Sequence, residues 1–256
     1  MTLLSVNESN KLIISERGDP RQSLGSKTDV AFFKTMFNKA DMMVFQSPDA
    51  REWFVENANV NGQVIFNPIK SDLPDRYLGE RQKAVVDFCR FDPQKNLPLL
   101  IEAFDKFSKD FPDYTLKIYG DGPQKDMLLK LIKEKELSDK VFLEDFSKNI
   151  HEKIKDAGMF VSSSDFEGMS NSMLEAMGMG IPSICTDCPA GGAKAIIKDH
   201  ENGILVPLRD ADSMYKAMKE VAEDKDLAEK LSINGTKLRE ELALDKIISQ
   251  WMEIIK

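Results

Sequence analysis

The sequence predicts an α/β fold in which helices cover parallel sheets, with a complete domain in its second part and an incomplete one in its first. Short apolar runs alternate with amphipathic stretches, which is the pattern of successive βαβ units. The stretch NPIKSDLPDRYLGERQ at 67–82 has two prolines, a glycine, many charges and no apolar periodicity. We therefore predict a linker at 71–82, between a first part at 1–70 and a compact α/β unit at 83–240.

The first part of the chain contains few elements. Apolar runs predict strands at 11–15, 42–46 and 63–67, and amphipathic stretches predict helices at 27–40 and 48–57. Three strands and two helices make a thin sheet with little core of its own. Residues 1–70 therefore look like the last part of a domain whose beginning is absent.

The helix predicted at 96–109 has one apolar face, because its apolar residues recur at three- and four-residue spacing. These residues are Leu97, Leu100, Ile101, Phe104 and Phe107. Similar patterns predict strands at 83–89, 114–120, 140–145, 158–163 and 181–186. Helices are predicted at 123–136, 149–156, 170–179, 211–223, 225–240 and about 245–255.

Composition excludes several classes of protein. The formal charge of −8 argues against a nucleic-acid partner. No stretch approaches the ~20 apolar residues that a membrane span needs, and the first residues lack the pattern of a signal peptide. Three cysteines are too few for a disulfide scaffold, so we expect a cytoplasmic protein with reduced thiols. The Cys185–Cys188 spacing alone is weak evidence for redox or metal chemistry.

The segment DFEGMSNSMLEAMGMG at 165–180 contains the strongest candidate site. Glu167 lies in a glycine-containing turn after an apolar strand, and Glu175 lies about one turn into the helix that follows. Free N–H groups at a helix start bind phosphate, and ligands of open α/β sheets lie at such turns. The two carboxylates can accept hydrogen bonds from sugar hydroxyls on either side. The segment therefore predicts a site for a sugar joined to a phosphate.

Two further loops follow predicted strands. Arg90 and Lys95 precede the helix at 96–109 and could neutralise a diphosphate, with a surface charge pair as the alternative. Gly120 and Gly122 let the backbone approach a ligand closely. The motif GDGPQK lacks the third glycine of a dinucleotide fingerprint, so it predicts a tight turn lining a cleft rather than a NAD site.

Other chemistry has weaker support. Glu167 and Glu175 could be the acid and base of a glycosidase, since sequence spacing does not measure the distance between them. Asp210-Ala-Asp212 has a pattern used to hold metals, but its position before a helix favours a role in capping. His151 and His200 are far apart among charged residues and form no ligand cluster with the cysteines. We predict no metal.

Four segments together resemble the retaining glycosyltransferase family 4. They are CRFDPQKNLPLLIEAFDKF (89–107), YTLKIYGDGPQKDML (114–128), SSSDFEGMSNSMLEAMGMGIPSICTDCPAGG (162–192) and ENGILVPLRDADSM (201–214). Their order and spacing match the family across nearly the whole second part of the chain. The wording of the third segment looks most like members that build capsular, O-antigen or other surface polysaccharides.

The resemblance implies a GT-B fold of two Rossmann-like domains, with the donor on the second and the acceptor on the first. It implies a hexosyltransferase that takes a sugar from a nucleotide donor, expected to be a UDP-sugar, and needs neither cofactor nor metal. Arg90 and Lys95 match the pair that contacts the diphosphate, Glu175 the carboxylate that binds ribose, and Glu167 the one facing the donor sugar. Backbone amides of Met169, Ser170 and Asn171 should approach the distal phosphate. The loop at 144–147 should lie beside the nucleotide base, although the family usually has a glycine near Glu144.

The first domain departs from the family pattern, because its glycine-rich loop and acceptor-side residues have no counterpart here. Two hypotheses follow: a transferase that acts on a glycan or lipid-linked acceptor, or a donor-binding subunit that needs a partner chain for the missing half. The closing helix at 241–256 resembles one that crosses back onto the first domain. Because much of that domain has no counterpart here, we expect the apolar face of this helix to be exposed or paired with another chain. The cluster Phe32, Phe33, Met36 and Phe37 could contact the inner face of the membrane, but a buried helix face is the favoured role.

Overall fold

The computed structural model describes residues 11–24 and 39–256, together with residues 28, 30, 31, 34 and 37 between them. Within this part, the strands form two parallel sheets. The smaller sheet contains β1 (Ile13–Glu16), β2 (Met42–Phe45) and β3 (Gln63–Val64), hydrogen-bonded in that order. All three strands coincide with runs expected from the sequence, although β3 is shorter than its apolar run.

The larger sheet contains six strands. They are β4 (Gln82–Phe88), β5 (Thr115–Tyr119), β6 (Val141–Glu144), β7 (Ala157–Ser162), β8 (Ser183–Thr186) and β9 (Ile204–Val206). Their order is β6-β5-β4-β7-β8-β9, and every neighbouring pair is parallel. The chain therefore proceeds outwards from β4 on one side and from β7 on the other. Such a reversal of strand order opens a crevice at the carboxyl ends of the strands, where open α/β sheets bind ligands.

Helices connect these strands. They are α1 (Pro20–Ser23), α2 (Pro48–Ala58), α3 (Leu97–Asp110), α4 (Lys125–Glu134), α5 (Ile150–Ile154), α6 (Asn171–Gly178), α7 (Gly192–Ile196), α8 (Ala211–Glu223), α9 (Lys225–Thr236), α10 (Leu238–Glu241) and α11 (Leu244–Ile255). A 3₁₀ turn at Pro93–Lys95 precedes α3. In α3 the apolar face expected from the sequence is buried in full, from Leu97 to Phe107.

Several elements differ from the expectation. The strand β9 and the short helices α1 and α7 were not predicted, because three to five residues do not establish a periodicity. The helix expected at 225–240 is interrupted at Lys237, two residues after Gly235, whose packing against Met177 leaves no room for a side chain. The helix expected at 27–40 falls mostly on residues outside the described part.

The smaller sheet shares a hydrophobic core with the larger one. Val44 and Ile65 belong to the same buried cluster as Phe160 and Met173 of the larger sheet and its helix. Helix α11 joins this cluster through Ile247 and Ile254, and the Lys11 ammonium donates to the Ile254 carbonyl at 3.4 Å. Trp251 is partly buried against the same cluster, whereas Leu244, Ile248, Met252 and Ile255 are exposed. Among the described residues, the closing helix thus packs against the core through one face.

The aromatic cluster considered for membrane contact is only partly described. Phe32, Phe33 and Met36 lie outside the described residues. Phe37 is buried, and its ring packs edge-on against Phe54 with the centroids 5.1 Å apart. This side chain therefore belongs to the core of the first part, as the favoured interpretation expected. Among the described helices, none combines the length and the apolar character that crossing a bilayer requires.

Candidate functional site

The carboxyl ends of the two sheets meet. Asn67 follows β3 of the smaller sheet, and its side-chain amide donates to Oδ1 of Asn171, the first residue of α6, at 2.8 Å. Asn67 also accepts from the Arg17 guanidinium at 2.7 Å. A Cβ atom at Gly168 would lie 2.4 Å from the Arg17 carbonyl oxygen, so only glycine allows these two backbone segments to approach so closely. The segment around Glu167 is therefore held between both sheets.

Lys95 and Glu167 form an ion pair in which the side chains are only 16% and 19% exposed. The 3₁₀ turn brings Lys95 to this position, because Gln94 accepts from the Asp165 amide at 2.8 Å and donates to the Phe166 carbonyl at 2.9 Å. Burial alone would lower the pKa of Lys95, but its attraction to Glu167 and Asp87 outweighs that effect and raises the pKa. The ammonium group therefore stays charged inside the cleft.

Asp87 lies fully buried near this pair, within β4. Its removal from water raises the pKa of its carboxyl to about 6, although the nearby Lys95 opposes the shift. Among the described residues, one of its oxygens has no hydrogen-bond partner and the other contacts the Cys89 thiol at 3.4 Å. Sequence reasoning did not identify Asp87, because a single acid within an apolar strand has no distinctive spacing.

Arg90 is the most exposed of the expected site residues. Its side chain is 73% exposed, and its Nε atom lies 2.9 Å from a carboxylate oxygen of Asp92 in an ion pair. Because an exposed ion pair contributes little to stability, the guanidinium is free to take an anionic ligand instead. With Lys95 it provides two positive charges at the carboxyl end of β4, where the strand order reverses.

The glycine turn after β5 packs tightly against the loop that carries Arg90. A Cβ atom at Gly120 would lie 1.9 Å from the Cys89 carbonyl oxygen, and one at Gly122 would lie 2.7 Å from the Phe91 nitrogen. Backbone hydrogen bonds join the two loops, including Phe91 to Asp121 at 2.9 Å. The expected tight turn that lines a cleft is present.

A cavity of about 420 Å³ opens beside this turn. Its lining is mainly apolar and comes from Phe88, Cys89, Arg90, Tyr119, Gly120, Asp121, Phe146, Ser147 and Ile150. Phe146 projects at its rim and is exposed. The shape and the apolar lining suit a flat ring system with a charged group directed towards Arg90.

Helix α6 begins at the centre of the site. Ser170 is its N-cap, and the hydroxyl oxygen accepts from the Met173 amide at 3.3 Å. The side chains of Met169 and Ser170 are buried, so these residues can offer a ligand only their backbone. The first N–H groups of a helix have no partner within it and attract anions. The helix start can therefore bind a phosphate between the two carboxylates.

Glu175 is held by a residue that sequence reasoning set aside. The Nε2 atom of His151, in α5, lies 2.8 Å from Oε2 of Glu175, and the side chains are 12% and 17% exposed. The ring of Phe88, which lines the cavity, packs edge-on against the imidazole. A separation of 24 residues leaves no local signal for this pair. Glu167 and Glu175 therefore have separate partners, Lys95 and His151.

A second cavity, of about 560 Å³, lies between the two sheets. Its lining comes from the first part through Arg21, Pro48, Asp49 and Glu52, and from the second through Asp187, Cys188, Pro189, Gly191, Lys194, Ala195 and Leu208. Arg21 makes two hydrogen bonds to Asp49, at 3.0 and 3.1 Å. The Pro189 carbonyl accepts from the Glu167 amide at 3.2 Å, so this cavity borders the Glu167 turn.

The structure accounts for the residues that were weaker candidates for catalysis or metal binding. Cys185 and Cys188 are buried free thiols, and burial raises the pKa of both, which disfavours the reactive thiolate form. Asp210 caps α8 by accepting from the Ser213 amide at 2.9 Å, which confirms the capping role. Within the described part, no three His, Cys, Asp or Glu side chains cluster as metal ligands. The absence of a metal stays a prediction.

Comparison with known proteins agrees with this architecture. The model of a family described as glycosyl transferases group 1 matches residues 71–238. A Campylobacter jejuni relative is 30% identical over 249 residues, which cover 93% of this chain and 67% of the relative. It is the N-acetylgalactosamine-N,N'-diacetylbacillosaminyl-diphospho-undecaprenol 4-alpha-N-acetylgalactosaminyltransferase. The poly(ribitol-phosphate) alpha-N-acetylglucosaminyltransferase of Staphylococcus aureus is 28% identical over 80% of this chain and 46% of its own length.

Solved structures share the fold. A variant of S. aureus TarM in complex with fondaparinux, alpha-GlcNAc-glycerol and UDP superposes with a TM-score of 0.89 at 21% identity, over 99% of this chain and 52% of TarM. Anabaena HepE in complex with UDP superposes with a TM-score of 0.86 at 19% identity, over 96% of this chain and 72% of HepE. The expected GT-B-like fold is confirmed. The chain spans about half the length of TarM.

Proposed function

Because the chain belongs to the glycosyl transferases group 1 family, we propose that it transfers a hexose-type sugar from a UDP-sugar to a glycan or lipid-linked acceptor. The observation that carries this proposal is the buried Lys95–Glu167 pair beside the start of α6. There a cation, a carboxylate and free helix amides are held close together at the point where the strand order of the larger sheet reverses. A sugar joined to a diphosphate needs this combination of groups.

The donor is proposed to lie along the crevice from the aromatic cavity to Glu167. Its base would enter the cavity beside Gly120 and Phe146, and its ribose hydroxyls would donate to Glu175. Arg90, Lys95 and the amides of Met169, Ser170 and Asn171 would bind the diphosphate, and Glu167 would accept from hydroxyls of the sugar. The solved neighbours bound to UDP support this choice of donor for a chain of the same fold.

The proposed mechanism is electrostatic. When the bond between sugar and phosphate breaks, negative charge builds on the diphosphate, and preorganised positive groups stabilise it without reorganising. Arg90, Lys95 and the helix start provide these groups. In the proposed retaining mechanism, the leaving phosphate accepts the proton of the acceptor hydroxyl on the same face of the sugar. No metal is required in this scheme, because two cations and the helix start neutralise the charge.

The acceptor is proposed to approach from the cavity between the two sheets. This cavity borders the Glu167 turn and combines the cations Arg21 and Lys194 with the acids Asp49, Glu52 and Asp187, which suits a polar glycan. The diphospho-undecaprenol in the name of the Campylobacter relative supports a lipid-linked acceptor and with it a peripheral contact with a membrane. The residues that line the two cavities are proposed to determine which sugar is transferred and which linkage is formed.

Calorimetry with UDP and UDP-sugars tests the donor site. We expect wild-type protein to bind UDP and Glu175→Ala to bind it about ten- to a hundredfold more weakly, because a buried carboxylate that accepts two hydroxyl hydrogen bonds is lost. Glu220→Ala is the matched control, because Glu220 also pairs with a histidine but lies on the surface. Undiminished binding by Glu175→Ala would contradict the assignment of this site.

A second candidate is a donor-binding subunit that transfers sugar only together with a partner chain. The described part of the smaller sheet has three strands, with β1 at its edge, and the exposed apolar face of α11 lies beside it. The pneumococcal relative GtfA, which superposes with a TM-score of 0.80, was also solved as a complex with GtfB. Transfer at a normal rate by the isolated chain, measured with a lipid-linked acceptor, would exclude this candidate.

A further inference from the structure

His151 is directed at one oxygen of the Glu175 carboxylate. Its Nε2 atom lies 2.8 Å from Oε2, within the distance of a strong hydrogen bond. This contact of His151 does not involve the other carboxylate oxygen, Oε1. A carboxylate offers about four acceptor positions, so His151 occupies one and leaves the rest for a ligand.

Three elements fix the imidazole. It lies in the first turn of α5, next to the buried Ile150, and the edge of its ring faces Phe88 of β4 with the centroids 6.2 Å apart. The helix α6 supplies Glu175 from the opposite side. Phe88 and Ile150 also line the cavity proposed for the base, so His151 is held by residues that border that cavity.

We propose that His151 is a positioning residue for the nucleoside. It holds the Glu175 carboxylate in the orientation in which Oε1 accepts hydrogen bonds from the ribose hydroxyls of a nucleoside diphosphate. The inference rests on the proposed function, because it assumes that Glu175 meets the ribose. His151 lies on a different helix from Glu175. Its hydrogen bond determines how strongly Glu175 favours a ribose over a sugar that lacks the 2′ and 3′ hydroxyls.

The physical reason is preorganisation. A glutamate side chain has three rotatable bonds, and ordering it when the ligand binds would cost conformational entropy. A hydrogen bond that fixes the carboxylate beforehand removes this cost from the binding step. It also gives a largely desolvated carboxylate a partner when no ligand is bound, which an unpaired buried acid would lack.

A purely structural role for His151 predicts a different result. If the pair only stabilised the packing of α5 against α6, replacing His151 would weaken the binding of every nucleotide alike, or would lower stability with no effect on affinity. If His151 instead positions Glu175, replacing His151 lowers the affinity only of ligands whose ribose hydroxyls contact Glu175. UDP and 2′,3′-dideoxy-UDP differ in those hydroxyls alone and therefore separate the two roles.

The experiment measures the affinity of both nucleotides by calorimetry. For His151→Ala we expect UDP binding to weaken about five- to tenfold, the cost of ordering one side chain when the ligand binds, and dideoxy-UDP binding to change less than about twofold. His151→Gln should recover part of the UDP affinity, because its amide can donate to Oε2. His200→Ala is the matched control, since His200 also contacts carboxylates, Asp199 and Glu220, but on the surface.

The outcomes separate the inference from the proposed function. Equal losses for UDP and dideoxy-UDP, or unchanged UDP binding, would overturn the positioning role and leave the donor site standing. Failure of the wild-type protein to bind UDP would overturn both. If His151→Ala does not fold, the affinities of both nucleotides are compared between His151→Gln and the shorter His151→Asn. His151→Asn should then show the smaller preference for UDP over dideoxy-UDP.

Discussion

Lys95 and Glu167 lie against each other as a largely buried ion pair that joins the loop after β4 to the loop after β7. Taking two charges out of water is costly, and their mutual attraction offsets that cost only when both partners are present. A pair of this kind contributes little net stability, so its place at the switch point of the sheet is better explained by ligand binding. The two side chains are held against each other before a donor arrives.

A double-mutant cycle on this pair is the first prediction. Lys95→Ala should lower the free energy of unfolding by about 3 kcal/mol, because the buried Glu167 carboxylate loses its counterion. The variant that also carries Glu167→Ala should be more stable than Lys95→Ala alone, since no charge is left unpaired. Urea unfolding at neutral pH measures both values. A double variant as unstable as the sum of the single ones would show that the two charges are not coupled.

Arg90 should matter for binding but not for stability. Arg90→Ala is expected to weaken UDP binding about ten- to a hundredfold, because the diphosphate loses a charge-assisted partner, and to leave the melting temperature unchanged. Lys109→Ala is the matched control: Lys109 is 70% exposed and is also paired with a nearby aspartate, but it lies on α3. Equal UDP affinity of the two variants in calorimetry would remove Arg90 from the site.

The glycine turn should not tolerate a side chain. Gly120→Ala would bring a Cβ atom to 1.9 Å from the Cys89 carbonyl oxygen, so the loops on both sides of the cavity must move apart. We expect a loss of about 1–3 kcal/mol in unfolding free energy, as for other overpacked sites, together with weaker UDP binding. At Gly18, by contrast, a Cβ atom would make only an ordinary contact at 3.5 Å. Gly18→Ala should therefore be stable; similar losses in both variants would contradict the steric explanation.

Asp87 should make stability depend on pH. Its folded-state pKa of about 6 lies above the ordinary value of 3.8, so the folded protein holds the proton more tightly than the unfolded chain. The stability that this proton provides is full below the ordinary value and is lost as the pH rises through about 6. Asp87→Asn, which cannot ionise, should be more stable than wild type at pH 7.5 by roughly 1–3 kcal/mol.

At pH 4 the two proteins should differ much less, because the folded-state carboxyl is then protonated and the unfolded-state carboxyl, with its ordinary pKa of 3.8, is about half protonated. Urea unfolding of wild type and Asp87→Asn at pH 4 and pH 7.5 measures this difference, and other groups cancel in the comparison. A constant difference at both pH values would mean that the buried carboxyl does not titrate in this range.

Removal of metal should not affect transfer. Arg90, Lys95 and the start of α6 are proposed to neutralise the diphosphate, and the described residues form no cluster of metal ligands. Transfer from a UDP-sugar should therefore proceed at the same rate in the presence of EDTA and with added Mg²⁺. A loss of activity in EDTA that Mg²⁺ restores would contradict the proposed mechanism.

Much of the site could be predicted from local patterns in the sequence. The apolar runs of β4 and β7 mark where strands end, and polar residues directly after them, Arg90, Lys95 and Glu167, fall at one edge because parallel strands share it. Ser170 is recognisable as a helix cap from its residue type and position. The motifs in register then implied a glycosyltransferase, and the match of residues 71–238 to the glycosyl transferases group 1 model confirms this broader family.

Other parts could not be predicted. Asn67 reaches Asn171 across 104 residues, and His151 reaches Glu175 across 24, and neither pair has a periodicity that reveals it. Strand β9 is three residues long, too short for a pattern. The sequence by itself determined the elements and the residue types at their ends, because burial leaves a local periodic signal. Only the tertiary structure decided which side chains meet, because those contacts depend on strand order and on how two sheets pack together.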